Sequence, residues 1–158
     1  MAPGLKWYFA YGSNMDDKRL SQRMKPKGVV AERIGGRLDG WRLAFNKRSK
    51  VPAKQGQGAG NILVAPDATV FGTLNLLPPG GLDELDIHEG VKDGHYERRV
   101  VPVVRIDTGE TIEAITYVAL LTGDGLRPTR EYLGYLLKGK DLLPLDYWER
   151  LQATPTLD

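Results

Sequence analysis

Tyr96-Glu97-Arg98-Arg99-Val100-Val101-Pro102-Val103-Val104-Arg105-Ile106 runs into Asp107-Thr108-Gly109-Glu110 and out again through Thr111-Ile112-Glu113-Ala114-Ile115-Thr116-Tyr117-Val118-Ala119-Leu120. Valine, isoleucine, threonine and tyrosine suit a pleated, half-buried surface, and a short polar connection holding a glycine pairs each run with its neighbour. The segment reads as an antiparallel hairpin. Other short apolar runs bounded by turn residues lie at Leu5 to Ala10, Val29 to Ile34, Gly36 to Phe45, Ile62 to Ala65 and Val70 to Leu77. Helical segments are fewer. They are Asp16 to Met24, closed by Pro26 and Gly28; Leu82 to Glu89, ended by Gly90; Thr129 to Leu137, started by Pro128 and Thr129; and Leu145 to Leu151, preceded by Pro144. So many strands with no regular helix between them argue against a doubly wound parallel sheet. We expect an α+β fold, a curved mixed β-sheet or small β-barrel with peripheral helices.

Composition bounds the rest. A chain of 158 residues, 41% hydrophobic and 27% charged, holds enough apolar material for one sizeable core, so residues 1–158 read as a single domain. No run of about 18 apolar residues and no charged-then-apolar leader is visible, which leaves neither membrane spanning nor secretion as an expectation. Zero cysteines exclude disulfides, zinc ribbons and thiol nucleophiles, and a cytoplasmic location is the default. With 22 basic against 20 acidic residues the net charge is +2, and the pI of 8.8 reflects a slight excess, not a face built for nucleic acid.

Two places carry chemistry. The first is the junction where Leu5 to Ala10 empties into Tyr11-Gly12-Ser13-Asn14. Gly12 permits a turn with positive φ, and Ser13 and Asn14 are good N-cap residues for the helix that follows. Free N–H groups there form a pocket for a carboxylate or an oxyanion. An ordinary strand-to-helix turn is the alternative, and Asp16 and Asp17, placed to complement the helix dipole themselves, favour it.

The second is Leu82-Asp83-Glu84-Leu85-Asp86-Ile87-His88-Glu89-Gly90, after the Pro78-Pro79-Gly80-Gly81 turn. Leu82, Leu85 and Glu89 are related as i, i+3 and i+7, so Glu89 shares the apolar side while Asp83 and Glu84 project away and Asp86 sits on the flank. A carboxylate on a core-facing stripe loses hydration, which raises its pKa and suits it to accept and return protons near neutral pH. Pairing of Glu89 with Arg98 or Arg99 is the plainer alternative.

Other features point less far. Gly56-Gln57-Gly58-Ala59-Gly60 follows a polar stretch and leads into a strand, the wrong context for a dinucleotide loop; it reads as a flexible turn, with a shaping role beside the site as the alternative. Lys47, Arg48, Lys50 and Lys54 read as solvated surface, with attraction of an acidic substrate as the lesser reading. His88 and His95 match no metal-binding spacing, so we expect no metal. A Ser-His-Asp hydrolase has equally little to recommend it.

Three blocks resemble the γ-glutamylcyclotransferase family. Tyr8-Phe9-Ala10-Tyr11-Gly12-Ser13-Asn14 resembles its signature loop, and Glu89-Gly90-Val91-Lys92-Asp93-Gly94-His95-Tyr96 resembles its catalytic-glutamate segment. Leu143-Pro144-Leu145-Asp146-Tyr147-Trp148 resembles the family's Leu-Pro-Leu-Glu-Tyr stretch, and Gly72-Thr73-Leu74 sits where the family runs a strand towards the catalytic helix. Met15 stands where leucine is usual, a swap of similar size.

The resemblance implies a cofactor-independent lyase or acyltransferase that converts a γ-glutamyl amino acid, or a related γ-glutamyl amide, to 5-oxoproline and a free amine, with a place in glutathione metabolism. It gives Glu89 the general acid/base role and makes Tyr11, Gly12, Ser13 and Asn14 the holder of the glutamyl moiety. Tyr96 and Tyr117, which as residues alone read as half-buried sheet aromatics, match pocket tyrosines. It also makes a homodimer plausible. Rival readings are a cyclotransferase acting on γ-glutamyl amines or another γ-glutamyl-modified metabolite, and a module that binds γ-glutamyl groups without turnover. An inward carboxylate is costly for a pure binder, which weighs against the last.

Overall fold

Alternation along the strands decides which side chains fill the interior. In the computed structural model, which describes residues 4–158, five strands close into a barrel in the order β1-β3-β2-β4-β5. They are β1 (Lys6–Ala10), β2 (Glu32–Lys47), β3 (Ala59–Leu77), β4 (Tyr96–Arg105) and β5 (Thr111–Ala119). Neighbours are antiparallel except β1 and β5, which run parallel and meet at Tyr8 and Ile115. The mixed, curved sheet read from the sequence is therefore a closed one. Phe9, Leu38, Val70, Leu74, Val101, Val103 and Ala114 form one buried cluster. The opposite parity faces the helices: Tyr8, Ala10, Tyr117 and Ala119 join Leu20, Leu82, Leu85, Leu136 and Leu151 in a second cluster. Burial of a side chain such as Phe9, fully enclosed here, contributes about 1.5–3 kcal/mol.

The hairpin at Asp107 to Glu110 is formed as expected, but the upstream strands are fewer and longer. Val29 to Ile34 and Gly36 to Phe45 belong to one strand, β2, which begins at Glu32, and Ile62 to Ala65 and Val70 to Leu77 belong to β3. Gly35 and Gly36 mark close packing and not a break. A Cβ on Gly36 would lie 2.8 Å from Val103 and 3.1 Å from Leu74, inside the barrel. Pairing jumps from Asp39 with Thr69 to Trp41 with Val64, so Pro66 and Asp67 fall in an irregularity opposite Gly40, where φ is +86°. That bulge bends the β2–β3 ribbon and leaves it one ribbon.

Four helices cover one side: α1 (Asp17–Arg23), α2 (Gly81–His88), α3 (Arg130–Leu137) and α4 (Leu145–Gln152). The expected cap at Ser13 or Asn14 is corrected: those residues form a 3-10 turn, Ser13–Met15, and Asp16 caps α1 through bonds from the amides of Lys18 and Arg19. Thr129 caps α3 by accepting from Tyr132 N. The Trp148 indole donates to Leu137 O at 2.9 Å and fastens α4 against the end of α3. Among the described residues no helix is long and apolar enough to cross a membrane.

Candidate active site

The junction after β1 lies at one end of the barrel, under α1 and α3. Gly12 has φ −119° and ψ −137°, not the positive φ expected of it; a side chain there is disfavoured by contact, since its Cβ would stand 3.3 Å from the Tyr132 hydroxyl. Ser13 and Asn14 are buried, yet among the described residues their backbone N–H groups donate to no protein acceptor. Unused donors of this kind at the start of a helical turn suit an anionic or developing oxyanionic guest.

Glu89 sits at the C-terminal end of α2, its amide bonded to Leu85 O at 2.8 Å, and Gly90 ends the helix in the left-handed conformation with φ +64°. Its side chain is 14% exposed. The helical phase was a reliable guide, because Leu82 and Leu85 are buried and Asp83 is open to solvent. The carboxylate does not pair with Arg98 or Arg99. Arg98 binds Asp83 and Asp86, Arg99 binds Glu97, and Glu89 is instead approached by Arg23 Nη1 at 3.4 Å and Asn14 Nδ2 at 3.3 Å. Burial pushes the Glu89 carboxyl above the ordinary carboxylate value; Arg23, the Asn14 hydrogen bond, Arg19 and Lys47 pull the other way without cancelling it. Asn14 is the hub of this group. Its amide also donates to the Tyr8 hydroxyl at 2.9 Å, and its oxygen accepts from Arg23 at 3.3 Å.

Tyrosines wall the recess. Tyr8, Tyr11, Tyr96, Tyr117 and Tyr132 line an inner cavity of about 30 Å³ together with Gly12, Ser13, Asn14, Gly60 and Glu89. Every sequence-predicted site residue is thus brought to one place. The hydroxyls serve the protein frame: Tyr11 donates to Tyr117 O at 2.7 Å, Tyr96 to Gly60 O at 2.6 Å and Tyr117 to Asp86 at 2.7 Å, while Tyr132 accepts from Gly60 N at 2.8 Å. The Tyr96 and Tyr117 hydroxyls are therefore engaged with Gly60 O and Asp86, and among the described residues neither is hydrogen-bonded to Glu89. Burial raises all five phenols above their usual value, so they stay neutral donors and acceptors near neutral pH.

A larger outer cavity, about 280 Å³, shares Ser13, Glu89, Tyr96 and Tyr132 with the inner one and adds Arg19, Arg23, Lys47 and Lys54. Sequence reading missed Tyr8, Tyr132, Arg19 and Arg23, and assigned Lys47 to solvated surface. Lys47 is half-buried, with Nζ 2.7 Å from His95 Nδ1. The Gly56 to Gly60 turn is a wall of the site, since Gln57, Gly58 and Ala59 line the outer cavity and Gly60 the inner.

Comparison with known proteins agrees with this geometry. Residues 69–151 match the AIG2-like family. A curated γ-glutamylcyclotransferase of Homo sapiens is 31% identical over 150 residues, covering 92% of this chain and 77% of that protein, and one of Bos taurus is 30% identical over 151 residues with the same coverage. The chain belongs to the γ-glutamylcyclotransferase family. A solved structure of a gamma-glutamyl cyclotransferase superposes with a TM-score of 0.82 at 27% identity, over 98% of this chain and 90% of that one. In this family member the three blocks of resemblance converge in space. The signature loop and Glu89 meet at the recess, and the block from Leu143 to Trp148 supports α3, which carries Tyr132 into it.

The ion pair with Arg23 gives a measurable consequence. Arg23 favours the charged form of Glu89, so Arg23→Met is expected to raise the Glu89 pKa further. If Glu89 must be ionised to start turnover, the acidic limb of the pH profile of kcat/KM moves to higher pH in that variant. A limb that stays in place would mean that some other group sets it.

Proposed function

We propose that the protein closes a γ-glutamyl amino acid, or a related γ-glutamyl amide, into 5-oxoproline and releases the free amine. The observation that carries this reading is the meeting of one desolvated carboxylate, Glu89, with the unused amides of Ser13 and Asn14 around a single recess. The relatives named γ-glutamylcyclotransferase support the same reading.

In this mechanism the substrate's own α-nitrogen is the nucleophile. Glu89 takes a proton from the α-ammonium, the freed amine attacks the γ-carbonyl carbon, and the carbonyl oxygen becomes an oxyanion facing the loop amides. Collapse breaks the bond to the departing nitrogen. Two protons leave the attacking nitrogen and two reach the departing one, with Glu89 as carrier, so the carboxylate is regenerated. A carboxyl whose pKa burial has raised suits both halves of the cycle better than a solvated one. Because both reacting groups belong to one molecule, holding the glutamyl chain folded is itself effective: good positioning supplies about 7–11 kcal/mol in favourable cases. A preorganised oxyanion donor adds typically about 3–4 kcal/mol.

Incubation of the purified protein with γ-glutamyl-alanine, followed by measurement of 5-oxoproline, tests the reaction. Release of 5-oxoproline and alanine in equal amounts is the expected result. Release of glutamate instead would mean hydrolysis and would overturn the cyclisation; tight binding with neither product would favour a silent binding module.

A further inference from the structure

At about 30 Å³ the inner cavity takes an oxygen-sized group and excludes a glutamyl chain. No lysine or arginine lines it, so a charge that forms there is met by dipoles alone. Ser13, Glu89, Tyr96 and Tyr132 line both this cavity and the outer one of about 280 Å³, which adjoins it and has room for the rest of a substrate.

Most hydroxyl protons around the inner cavity have a place in the protein. Tyr11, Tyr96 and Tyr117 donate theirs to Tyr117 O, Gly60 O and Asp86, and Tyr132, which accepts from Gly60 N, has the Ser13 hydroxyl beside it. Tyr8 is the exception. Its oxygen accepts from Asn14 Nδ2 at 2.9 Å, and among the described residues its own proton meets no acceptor. The direction of that bond is fixed by its neighbours. Asn14 Oδ1 accepts from Arg23, a group that can only donate, so the amide turns its nitrogen to Tyr8 and to Glu89 Oε1 at 3.3 Å. Tyr8 is only 5% exposed, which keeps bulk water from serving that proton. A buried hydroxyl proton without a partner is costly, and at the wall of a cavity it is a donor for a ligand that enters.

We propose that Tyr8 is a catalytic residue whose hydroxyl, together with the amides of Ser13 and Asn14, binds the γ-carbonyl oxygen of the substrate in the inner cavity and holds the oxyanion it becomes. This rests on the cyclotransferase reading above. The γ-carbon then stands where the two cavities meet, beside Glu89, while the glutamyl chain and the departing amine lie in the outer cavity. The hydrogen bond strengthens as the oxygen gains charge, so it lowers the barrier more than it tightens binding. Burial, reinforced by the nearby Glu89 carboxylate, holds the phenol above its ordinary pKa, and Tyr8 therefore donates to the oxyanion without losing its proton.

Tyr8→Phe tests this, because it keeps the ring and its edge-to-face contact with Tyr117 at 5.8 Å and removes only the hydroxyl. With γ-glutamyl-alanine, kcat is expected to fall by about 10² to 10³-fold, KM to stay within about threefold, and the acidic limb of kcat/KM to stay in place. A role confined to holding Asn14 would read differently: it would alter the amide that faces Glu89 and displace that limb along with the loss. The product gives a second measurement, on the native protein, that does not depend on the variant folding. The lactam oxygen of 5-oxoproline is the former γ-carbonyl oxygen, and in crystals of the native enzyme with 5-oxoproline it should lie within about 3 Å of Tyr8 Oη. A kcat within a few-fold of native in Tyr8→Phe, a loss that comes with a displaced limb or through KM alone, or a lactam oxygen outside the inner cavity overturns the assignment while the cyclotransferase reading stands. Native protein that releases no 5-oxoproline overturns both.

Discussion

Glu89→Gln is expected to lower kcat for 5-oxoproline release by between about 10² and 10⁴-fold, the range in which positioned general acid–base groups act. Glutamine keeps the shape of the side chain and can still meet Asn14, but it can neither take the ammonium proton nor deliver one to the leaving nitrogen. Substrate binding should survive, because the amides of Ser13 and Asn14 and the tyrosine walls are untouched. The same variant has a signature in stability. Burial raises the folded-state pKa of Glu89 above its unfolded value, so the folded protein binds that proton more tightly than the unfolded chain. The resulting stability is fully present below the ordinary carboxylate pKa and is lost as pH rises through the raised one. Uncharged glutamine escapes that loss. The Tm of Glu89→Gln should therefore exceed that of the native protein at neutral pH, and the two should converge as pH falls toward about 4. Turnover within a few-fold of native would remove Glu89 from the chemistry, and a lower Tm at neutral pH would mean that its ion pair with Arg23 outweighs its desolvation.

Gly12→Val should act on the other half of the site. Its Cβ would stand 3.3 Å from the Tyr132 hydroxyl, and the two branching methyls demand more room than that contact leaves. Tyr132 cannot retreat freely, since its oxygen accepts from Gly60 N at 2.8 Å. The loop must move instead, and the donors of Ser13 and Asn14 move with it. Loss of a single oxyanion donor costs about 10² to 10³-fold in related acyl chemistry, so kcat/KM should fall at least that far. Unlike Glu89→Gln, this variant should also bind poorly, which calorimetry with an unreactive γ-glutamyl analogue would read directly. Native affinity in Gly12→Val would take the loop out of the binding site.

The contrast between these two residues shows what the sequence discloses. Glu89 was legible because a helix imposes a period: Leu82 and Leu85 identify the buried stripe, and a carboxylate four residues beyond the second and seven beyond the first lies on it. Strand patterning is as direct, which is why the Tyr96 to Leu120 hairpin and a curved mixed sheet or small barrel could be read from the short apolar runs and the turn residues between them. Glycine is ambiguous where it stands for space. At Gly12 and Gly36 the backbone is not in the left-handed region; each is glycine because something from another part of the chain comes close, Tyr132 in one case and Val103 in the other. Local reading took the first for a turn with positive φ and made the second the start of a new strand. Arg23 and Tyr132 were illegible for a related reason. Nothing near either residue in sequence indicates that α1 and α3 converge over the end of β1, and their partners lie 66 and 72 positions away. Lys47 looked like one more surface charge in a basic run, and only the fold shows His95 beside it.

The short parallel seam between β1 and β5 has one more consequence. β1 is zipped to β3 from Lys6 with Leu77 to Ala10 with Thr73, but it touches β5 only around Tyr8 and Ile115. The strand that ends in the signature loop is thus also the stave that shuts the cylinder. While it is detached, Glu89 lacks Asn14 and the recess lacks the wall formed by Tyr11, Gly12 and Ser13. On the reading proposed above, the site is complete only when the ring is closed, and a clipped chain missing its first strand is expected to be inactive even if β2–β3 and β4–β5 pair normally.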